Sequence, residues 1–225
     1  MHHHVAIDGP VASGKTTISQ LLAAQTGSLY LDTGAMYRAV AYLALTNGVD
    51  LDNESGLVKM LAQHTISIVA DPTRTAGYRV LIDGTDTGER LFAPDVASAV
   101  SSVAAQPAVR HELVERQRAI AAQGPVVMAG RDIGTVVLPG ARYKFYLTAS
   151  VDERARRRQA EFHDGGLDVP LAEVRAQIVE RDRLDSTRAV SPLRPAPDAV
   201  TIDSTDMQPA DVVARMRAVM DGAPA

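Results

Sequence analysis

The sequence predicts an α/β fold, in which a parallel sheet carries helices on both of its faces. Short apolar segments alternate with longer segments of helical periodicity along most of the chain, which is typical of βα units. A phosphate-loop pattern, G-x-x-x-x-G-K-[ST], occupies residues 9–16 between the first predicted strand and the first predicted helix. One segment breaks the alternation and predicts a small antiparallel sheet inserted into this fold.

Apolar periodicity and end signals place the elements on either side of the insert. Gly48 is a stop signal for the second helix, Pro107 opens a later helix, and Ser150 with Glu153 forms a capping box for another. The predicted strands cover residues 5–7, 28–31, 126–128, 143–147 and 200–202. The predicted helices cover residues 17–25, 35–47, 107–123, 150–162, 171–186 and 209–220.

The insert itself has the pattern of a hairpin. Residues 65–69 and 78–82 alternate as strands do, and Asp83-Gly84 is a strong turn signal before a third short strand at 85–88. A helix over residues 94–105 follows. We therefore predict a subdomain inserted into a core. The predicted bounds are 62–105 for the insert and 1–61 and 106–225 for the core.

Composition excludes several classes of protein. The chain has 225 residues, no cysteine and a net charge of −4. Because this net charge provides no broad electrostatic attraction for nucleic acid, we expect no nucleic-acid partner. No apolar run reaches the roughly 18 residues that cross a bilayer, and we see no secretory signal. We expect a cytoplasmic protein without a membrane partner. His2-His3-His4 is interpreted as the remnant of a purification tag and not as a metal site.

The phosphate loop is the strongest chemical signal. Its backbone N–H groups can form an anion nest, to which the following helix N-terminus adds partial positive charge. Lys15 can reach the β and γ phosphates of a nucleoside triphosphate, and the Thr16 hydroxyl can bind Mg²⁺. The expected contacts to ATP are Gly9, Pro10, Val11, Ala12, Ser13, Gly14, Lys15, Thr16 and Thr17.

Two clusters follow predicted strands, where ligands of doubly wound sheets bind. Asp32 can hold a water of the Mg²⁺ shell, and Arg38, about one helical turn on, can bind an acceptor phosphate. The alternative for this pair is a helix N-cap and a surface arginine. Arg131 and Asp132 lie between two glycines after the strand at 126–128. Their alternative is a surface salt bridge, which would stabilise little.

Two further clusters lie on predicted helices. Arg154, Arg157 and Arg158 have i, i+3, i+4 spacing and share one face, so a polyphosphate opposite them would relieve their mutual repulsion. The alternative is a solvated face with local acidic compensation. On another helix, residues 181, 185 and 188 align Arg, Asp and Arg. An intrahelical ion pair between Arg181 and Asp185 accounts for two of these residues. The alignment of Arg188 with this pair suggests the wall of a polar cleft.

Together these motifs resemble the bacterial cytidylate kinases, from Val5 to about Met220. The resemblance rests on I-D-G-P-x-x-S-G-K at 7–15, L-D-T-G-A-M-Y-R at 31–38, S-S-V-A at 101–104, P-x-V-R at 107–110, G-R-D-I-G-T-V-V at 130–137, R-A-R-R-R at 154–158 and R-D-x-L-D-S-T-R-A-V-S-P-L at 181–193. It implies a core, an insert that helps bind the monophosphate and a short arginine-bearing lid at about 154–168. The implied reaction is Mg²⁺-assisted, in-line transfer of the ATP γ-phosphoryl group to CMP or dCMP, by a protein we expect to be a monomer.

The resemblance also implies roles for single residues. Arg38, Arg131 and Arg188 are similar to ligands of the CMP phosphate, Ser101, Arg110 and Asp132 to readers of cytosine, and Arg181 and Asp185 to pentose contacts. Thr33 completes the expected CMP contacts. The expected catalytic residues are Lys15, Arg131, Arg154, Arg157, Arg158 and Arg188, and the expected magnesium contacts are Thr16 and, through water, Asp32.

One position departs from the family pattern, and other functions stay open. An acidic residue commonly precedes Gly-Arg-Asp, but Ala129 stands there, which leaves open whether Asp32 or Asp132 completes the magnesium shell. Another small-molecule kinase of the same superfamily is an alternative, although the D-G-F-P-R signature of adenylate kinases is missing and a large antiparallel insert is foreign to shikimate kinases. A non-catalytic nucleotide switch is another, although no N-K-x-D motif is present.

Overall fold

The computed structural model describes residues 3–71, 73–74 and 76–222. The strands, in chain order, are β1 (Val5–Asp8), β2 (Leu29–Asp32), β3 (Ile66–Ala70), β4 (Tyr78–Ile82), β5 (Thr85–Asp86), β6 (Val126–Gly130), β7 (Tyr143–Thr148) and β8 (Val200–Asp203). The helices are α1 (Lys15–Thr26), α2 (Thr33–Asn47), α3 (Glu54–Gln63), α4 (Pro94–Ala105), α5 (Pro107–Ala121), α6 (Val151–Asp164), α7 (Leu171–Thr187) and α8 (Pro209–Met220).

The chain divides into two compact units, one of which contains the phosphate loop. This first unit comprises the chain up to Gly27 and from Val127 onward. In it β6, β1, β7 and β8 are neighbours in that order and run parallel. Every residue of β1 is buried, as expected of a strand covered on both faces of a parallel sheet. Asp8 pairs with Gly130 on one side and Tyr146 on the other, so the loops after β1 and β6 leave the same edge.

The second unit, Ser28–Val126, contains the antiparallel sheet in the order β3, β4, β5. Ile66 pairs with Ile82, which also pairs with Thr85 across the turn. The two turn residues, Asp83 and Gly84, have φ of 51° and 78°, the left-handed conformation that a tight hairpin of this type requires. The predicted hairpin is confirmed.

The predicted α/β fold class is confirmed, with differences in detail. Helix α4 has the predicted bounds, and Gly48 ends α2 with φ 65°, as its stop signal indicates. Sequence analysis missed α3, which Asn53 caps by accepting the Gly56 N–H at 3.0 Å. It also missed a short π-helix, Ile133–Val137.

The predicted insert, residues 62–105, lies within the second unit, which also contains β2, α2, α3 and α5. The functional bounds of insert, core and lid stay a prediction. Among the described residues, no helix combines the length and the apolar character needed to span a bilayer.

Candidate functional site

The phosphate loop joins β1 to α1 in a conformation suited to anion binding. Ala12 and Gly14 have positive φ, 57° and 87°, which turns the backbone through left-handed conformations. The Ser13 hydroxyl donates to the Pro10 carbonyl at 3.0 Å and fixes the loop from inside. A left-handed alanine costs free energy, and such strain is characteristic of ligand-binding backbone. The loop therefore has a backbone shaped for phosphate.

Lys15 lies folded against this loop. Its ammonium donates to the Pro10 carbonyl at 2.5 Å and to the Ser13 hydroxyl at 3.3 Å. Gly9 is required by close packing, because a Cβ there would lie 2.0 Å from the Leu147 carbonyl oxygen of β7. The lysine is thus kept at the loop, with its charge close to where a phosphate would bind.

Arg131 is anchored beside the phosphate loop. Its Nη1 donates to the Gly9 carbonyl at 2.9 Å, and its Nε donates to Asp185 at 2.8 Å. Asp132, the next residue, is 4% exposed. The surface salt bridge that sequence analysis left open for Arg131 and Asp132 does not fit this arrangement, because Asp132 is buried and Arg131 pairs with Asp185 of α7, which is 6% exposed.

Three arginines surround Asp185. Besides Arg131, Arg181 Nε lies 3.4 Å and Arg188 Nη1 3.8 Å from its carboxylate. Burial alone would raise the pKa of Asp185, but the charges of the three arginines outweigh burial and lower it. Three guanidinium groups face this one carboxylate, so the arginine cluster is cationic and suits an anionic ligand. Arg188 also donates from Nε to the Ser191 carbonyl.

Arg154 differs from the expectation of a shared arginine face on α6. Its side chain is 4% exposed and forms two hydrogen bonds with Asp182 of α7, at 3.1 and 2.6 Å. It also donates to the carbonyls of Ala149 and Val11, the latter in the phosphate loop. In this structure Arg154 joins helices α6 and α7 to the loop.

Arg157 and Arg158 have separate environments. Arg157 donates to Glu153 at 2.9 Å and to the Ser204 carbonyl at 2.7 Å, after β8. Arg158 pairs with Glu161 at 2.7 Å and stacks over the Phe162 ring at 4.4 Å. The compensation by Glu153 and Glu161 that sequence analysis kept as an alternative is present. The three arginines thus do not form one uncompensated patch.

A cavity of about 480 Å³ lies next to the phosphate loop and was missed by sequence analysis. Gly14, Thr17 and Arg157 line it, together with the segment from Ser204 to Pro209. Ser204 connects this segment to the loop, since its hydroxyl donates to the Ser13 carbonyl at 3.3 Å. The position of this segment, directly after a parallel strand, was the available signal.

In the second unit, Asp32 has a structural role. It caps α2, since its carboxylate accepts the Gly34 N–H at 2.9 Å and the Tyr78 hydroxyl at 3.1 Å. Burial, followed by the charge of Asp32, raises the pKa of Tyr78. The alternative of an N-cap is therefore confirmed, and a role in holding a metal-bound water would have to coexist with it.

The remaining predicted contacts of this unit lie on its helices. Arg38 lies 3.6 Å from Asp32 and its guanidinium stands 5.5 Å from the Phe92 ring centroid. Arg110 is 3% exposed, donates to the Ala104 carbonyl at 3.2 Å and stands over the Tyr37 ring at 5.3 Å. Thr33 is buried at the start of α2, and Ser101 is half-buried on α4.

The residues present fit a magnesium ion that keeps most of its waters. Thr16 places an exposed hydroxyl at the first turn of α1, beside the loop. No group of three or more His, Asp or Glu side chains within residues 3–71, 73–74 and 76–222 could form a metal cage. Mg²⁺ bound with nucleotide phosphates uses few protein ligands, so one hydroxyl is compatible with it.

Known proteins resemble this chain over almost its whole length. A cytidylate kinase of Pelotomaculum thermopropionicum is 50% identical over 95% of this chain and 93% of its own length. A bifunctional pantoate ligase/cytidylate kinase of Synechococcus sp. is 49% identical over 92% of this chain, which spans 38% of that longer protein. An uncharacterized protein from Eubacterium ventriosum, 11% identical, shares the fold with a TM-score of 0.50, covering 97% of this chain and 98% of its own.

The family profile described as cytidylate kinase matches residues 5–221. The matched segment contains the phosphate loop, the arginine cluster and helices α6 and α7. The chain belongs to the cytidylate kinase family.

Proposed function

We propose that this chain transfers the γ-phosphoryl group of ATP to CMP or dCMP. The observation that carries the proposal is the link between the phosphate loop and the arginine cluster, the 2.9 Å bond from Arg131 to the Gly9 carbonyl. Transfer between two phosphates needs two anion sites side by side, and these two are adjacent in one unit. Family membership and the named relatives support CMP as the acceptor.

The ATP site is proposed at the phosphate loop, over residues 9–17. Its backbone and Lys15 take the phosphates, and the cavity lined by Gly14, Arg157 and Ser204 is large enough for a nucleobase. Thr16 is the proposed direct ligand of magnesium, which when bound with ATP neutralises charge on the β and γ phosphates. The proposal that Asp32 holds a metal-bound water stays untested.

The CMP contacts are proposed from the family pattern and from charge. The arginine cluster suits the monophosphate, which is largely dianionic at neutral pH because its second pKa is about 6. Buried Arg110 and Asp132 are suited to read the base, since unpaired buried polar groups penalise a wrong one. The full proposed set is Thr33, Arg38, Ser101, Arg110, Arg131, Asp132, Arg181, Asp185 and Arg188.

The residues of the chain act mainly by position and charge. A phosphate oxygen is already a nucleophile and needs no general base. The barrier lies in bringing two polyanions together in line, which Lys15, Arg131 and Arg188 lower by their positive charge. Arg157 and Arg158 are the proposed lid cations. Closure must also exclude water, which would otherwise hydrolyse ATP.

An acceptor panel tests the proposal. ADP release from ATP and magnesium is measured with CMP, dCMP, UMP and AMP in turn. We expect CMP and dCMP to be used, UMP less and AMP little. Equal rates with AMP would contradict the assigned base readers, and ATP binding without transfer to any acceptor would favour a nucleotide switch.

Sedimentation velocity tests the expected monomer, and cell fractionation tests the expected cytoplasmic location.

A further inference from the structure

Asp8 is a buried carboxylate to which the proposed reaction assigns no role. It is the last residue of β1, it directly precedes Gly9, and it is 3% exposed. Its two oxygens accept consecutive backbone N–H groups, Ile133 at 2.7 Å and Gly134 at 2.8 Å. Both amides belong to the start of the π-helix, where they lack partners within the helix. One carboxylate thus accepts from two successive peptide N–H groups, the first of which is 125 residues further along the chain.

The residue types around this contact are matched to it. A Cβ at position 134 would lie 3.3 Å from an Asp8 oxygen and 3.2 Å from the Lys144 side chain, so glycine permits the short bond. Asp8 also pairs in register with Gly130 of β6, directly before the Arg131–Asp132 dipeptide. The backbone on both sides of that dipeptide is therefore fixed to the strand that carries the phosphate loop.

The side chain of Arg131 is tied to the same place. It donates to the Gly9 carbonyl, one residue beyond Asp8. From these contacts we propose that Asp8 is a positioning residue, which holds the Arg131–Asp132 dipeptide in register with the phosphate loop. The proposal rests on the proposed role of Arg131 in phosphoryl transfer.

Burial makes an ionised carboxylate at this position costly. Burial raises the pKa of Asp8 to about 6 even though both N–H bonds and Lys15 lower it; the charge of Asp132 adds to the increase. Tyr146 of β7 and Lys144 also face this region. A carboxylate retained at such a cost next to charged site residues is characteristic of functional sites.

The first test is a double-mutant cycle. Asp8→Asn offers one acceptor and an opposing NH₂ group, so the dipeptide should shift and kcat should fall by roughly 10–100-fold, since small misplacements cost about 10². In an Arg131→Ala background the same substitution should change kcat by less than about 2-fold, because Arg131, the member of the dipeptide proposed to act on the transferring phosphoryl group, is already missing. Asp50→Asn, at an exposed carboxylate that accepts the Asp52 N–H, is the matched control and should leave kcat unchanged.

Independent losses that multiply in the double variant would overturn the proposal, as would a native kcat in Asp8→Asn. A second readout needs no activity and no folded variant. In the parent protein, the Ile133 and Gly134 amide proton resonances should move together between pH 5 and 8, with a midpoint near 6. Resonances that stay still would show that Asp8 does not titrate near pH 6, and the kcat values of the double-mutant cycle would then decide the proposal. Because CMP phosphorylation is measured separately, failure of this proposal and of the proposed function can be distinguished.

Discussion

Asp32 combines a structural contact with a predicted chemical role, and a single substitution can separate them. Its carboxylate caps α2 and binds the Tyr78 hydroxyl. Asparagine is as good an N-cap as aspartate, and its NH₂ group can donate to the Tyr78 oxygen in place of the carboxylate oxygen that is lost, but it carries no charge. The charge is what a metal-bound water would require.

Asp32→Asn should therefore raise the magnesium concentration for half-maximal rate by roughly 10–100-fold, the usual effect of losing an outer-shell partner. The melting temperature should hardly change. Asp32→Ala, which also removes the cap, should lower stability by about 1 kcal/mol. A magnesium titration of Asp32→Asn that coincides with that of the parent would restrict Asp32 to its structural role.

At the scale of elements, helices α6 and α7 and the phosphate loop form one packed group. Ala155, Val174 and Ile178 form a buried cluster between α6 and α7, and Val11 and Ala12 of the loop pack against it. Arg154 adds polar contacts between the same three segments. The loop is thus held against α6 and α7 by both apolar and polar contacts.

Arg154→Met should lower the unfolding free energy by about 1–3 kcal/mol, because it leaves Asp182 and two carbonyls without their donor. Arg156→Met is the matched control on the same helix. Arg156 is exposed and pairs only locally with Glu153, so its loss should change stability by less than about 0.5 kcal/mol. Urea unfolding measures both. If Arg154→Met were as stable as the parent but lost kcat, the direct role in catalysis first expected of Arg154 would be favoured.

For the whole molecule, two kinds of aspartate affect stability in opposite directions as the pH changes. Asp8 has a raised pKa, so its contribution is fully present below 3.8 and is lost as the pH rises through about 6. Asp185 and Asp95 have lowered pKa values, so theirs are present above 3.8 and are lost as the pH falls through their folded values.

We therefore expect the parent protein to gain stability between pH 8 and pH 5, by about 1–1.5 kcal/mol, because a pKa raised from 3.8 to about 6 has contributed roughly half of its full effect of about 3 kcal/mol by pH 5. The protein should lose stability again below pH 4. In Asp8→Asn the gain between pH 8 and pH 5 should disappear. Urea unfolding of the two proteins across this range provides the test, and parallel pH curves would contradict the burial cost assigned to Asp8.

The sequence by itself determined the fold class, the phosphate loop and the family motifs. Each of these depends on local spacing: glycines at fixed intervals, apolar periodicity, and cap and turn residues such as Gly48 and Asp83-Gly84. Backbone preference and short-range hydrogen bonds act between residues close in the chain, so a pattern of residue types is sufficient to indicate them. The site residues, identified through the family pattern, stay predictions of role.

Only the tertiary structure decided where charged side chains point and what they contact. Helical spacing placed Arg154, Arg157 and Arg158 on one face, but long side chains turn towards partners from distant segments, and Arg154 turns inward to Asp182 and Val11. The hydrogen bonds from the Ile133 and Gly134 N–H groups to Asp8 likewise join residues far apart in the chain. Such contacts depend on how strands and helices pack, because desolvation and charge pairing are properties of the folded surroundings and not of local sequence.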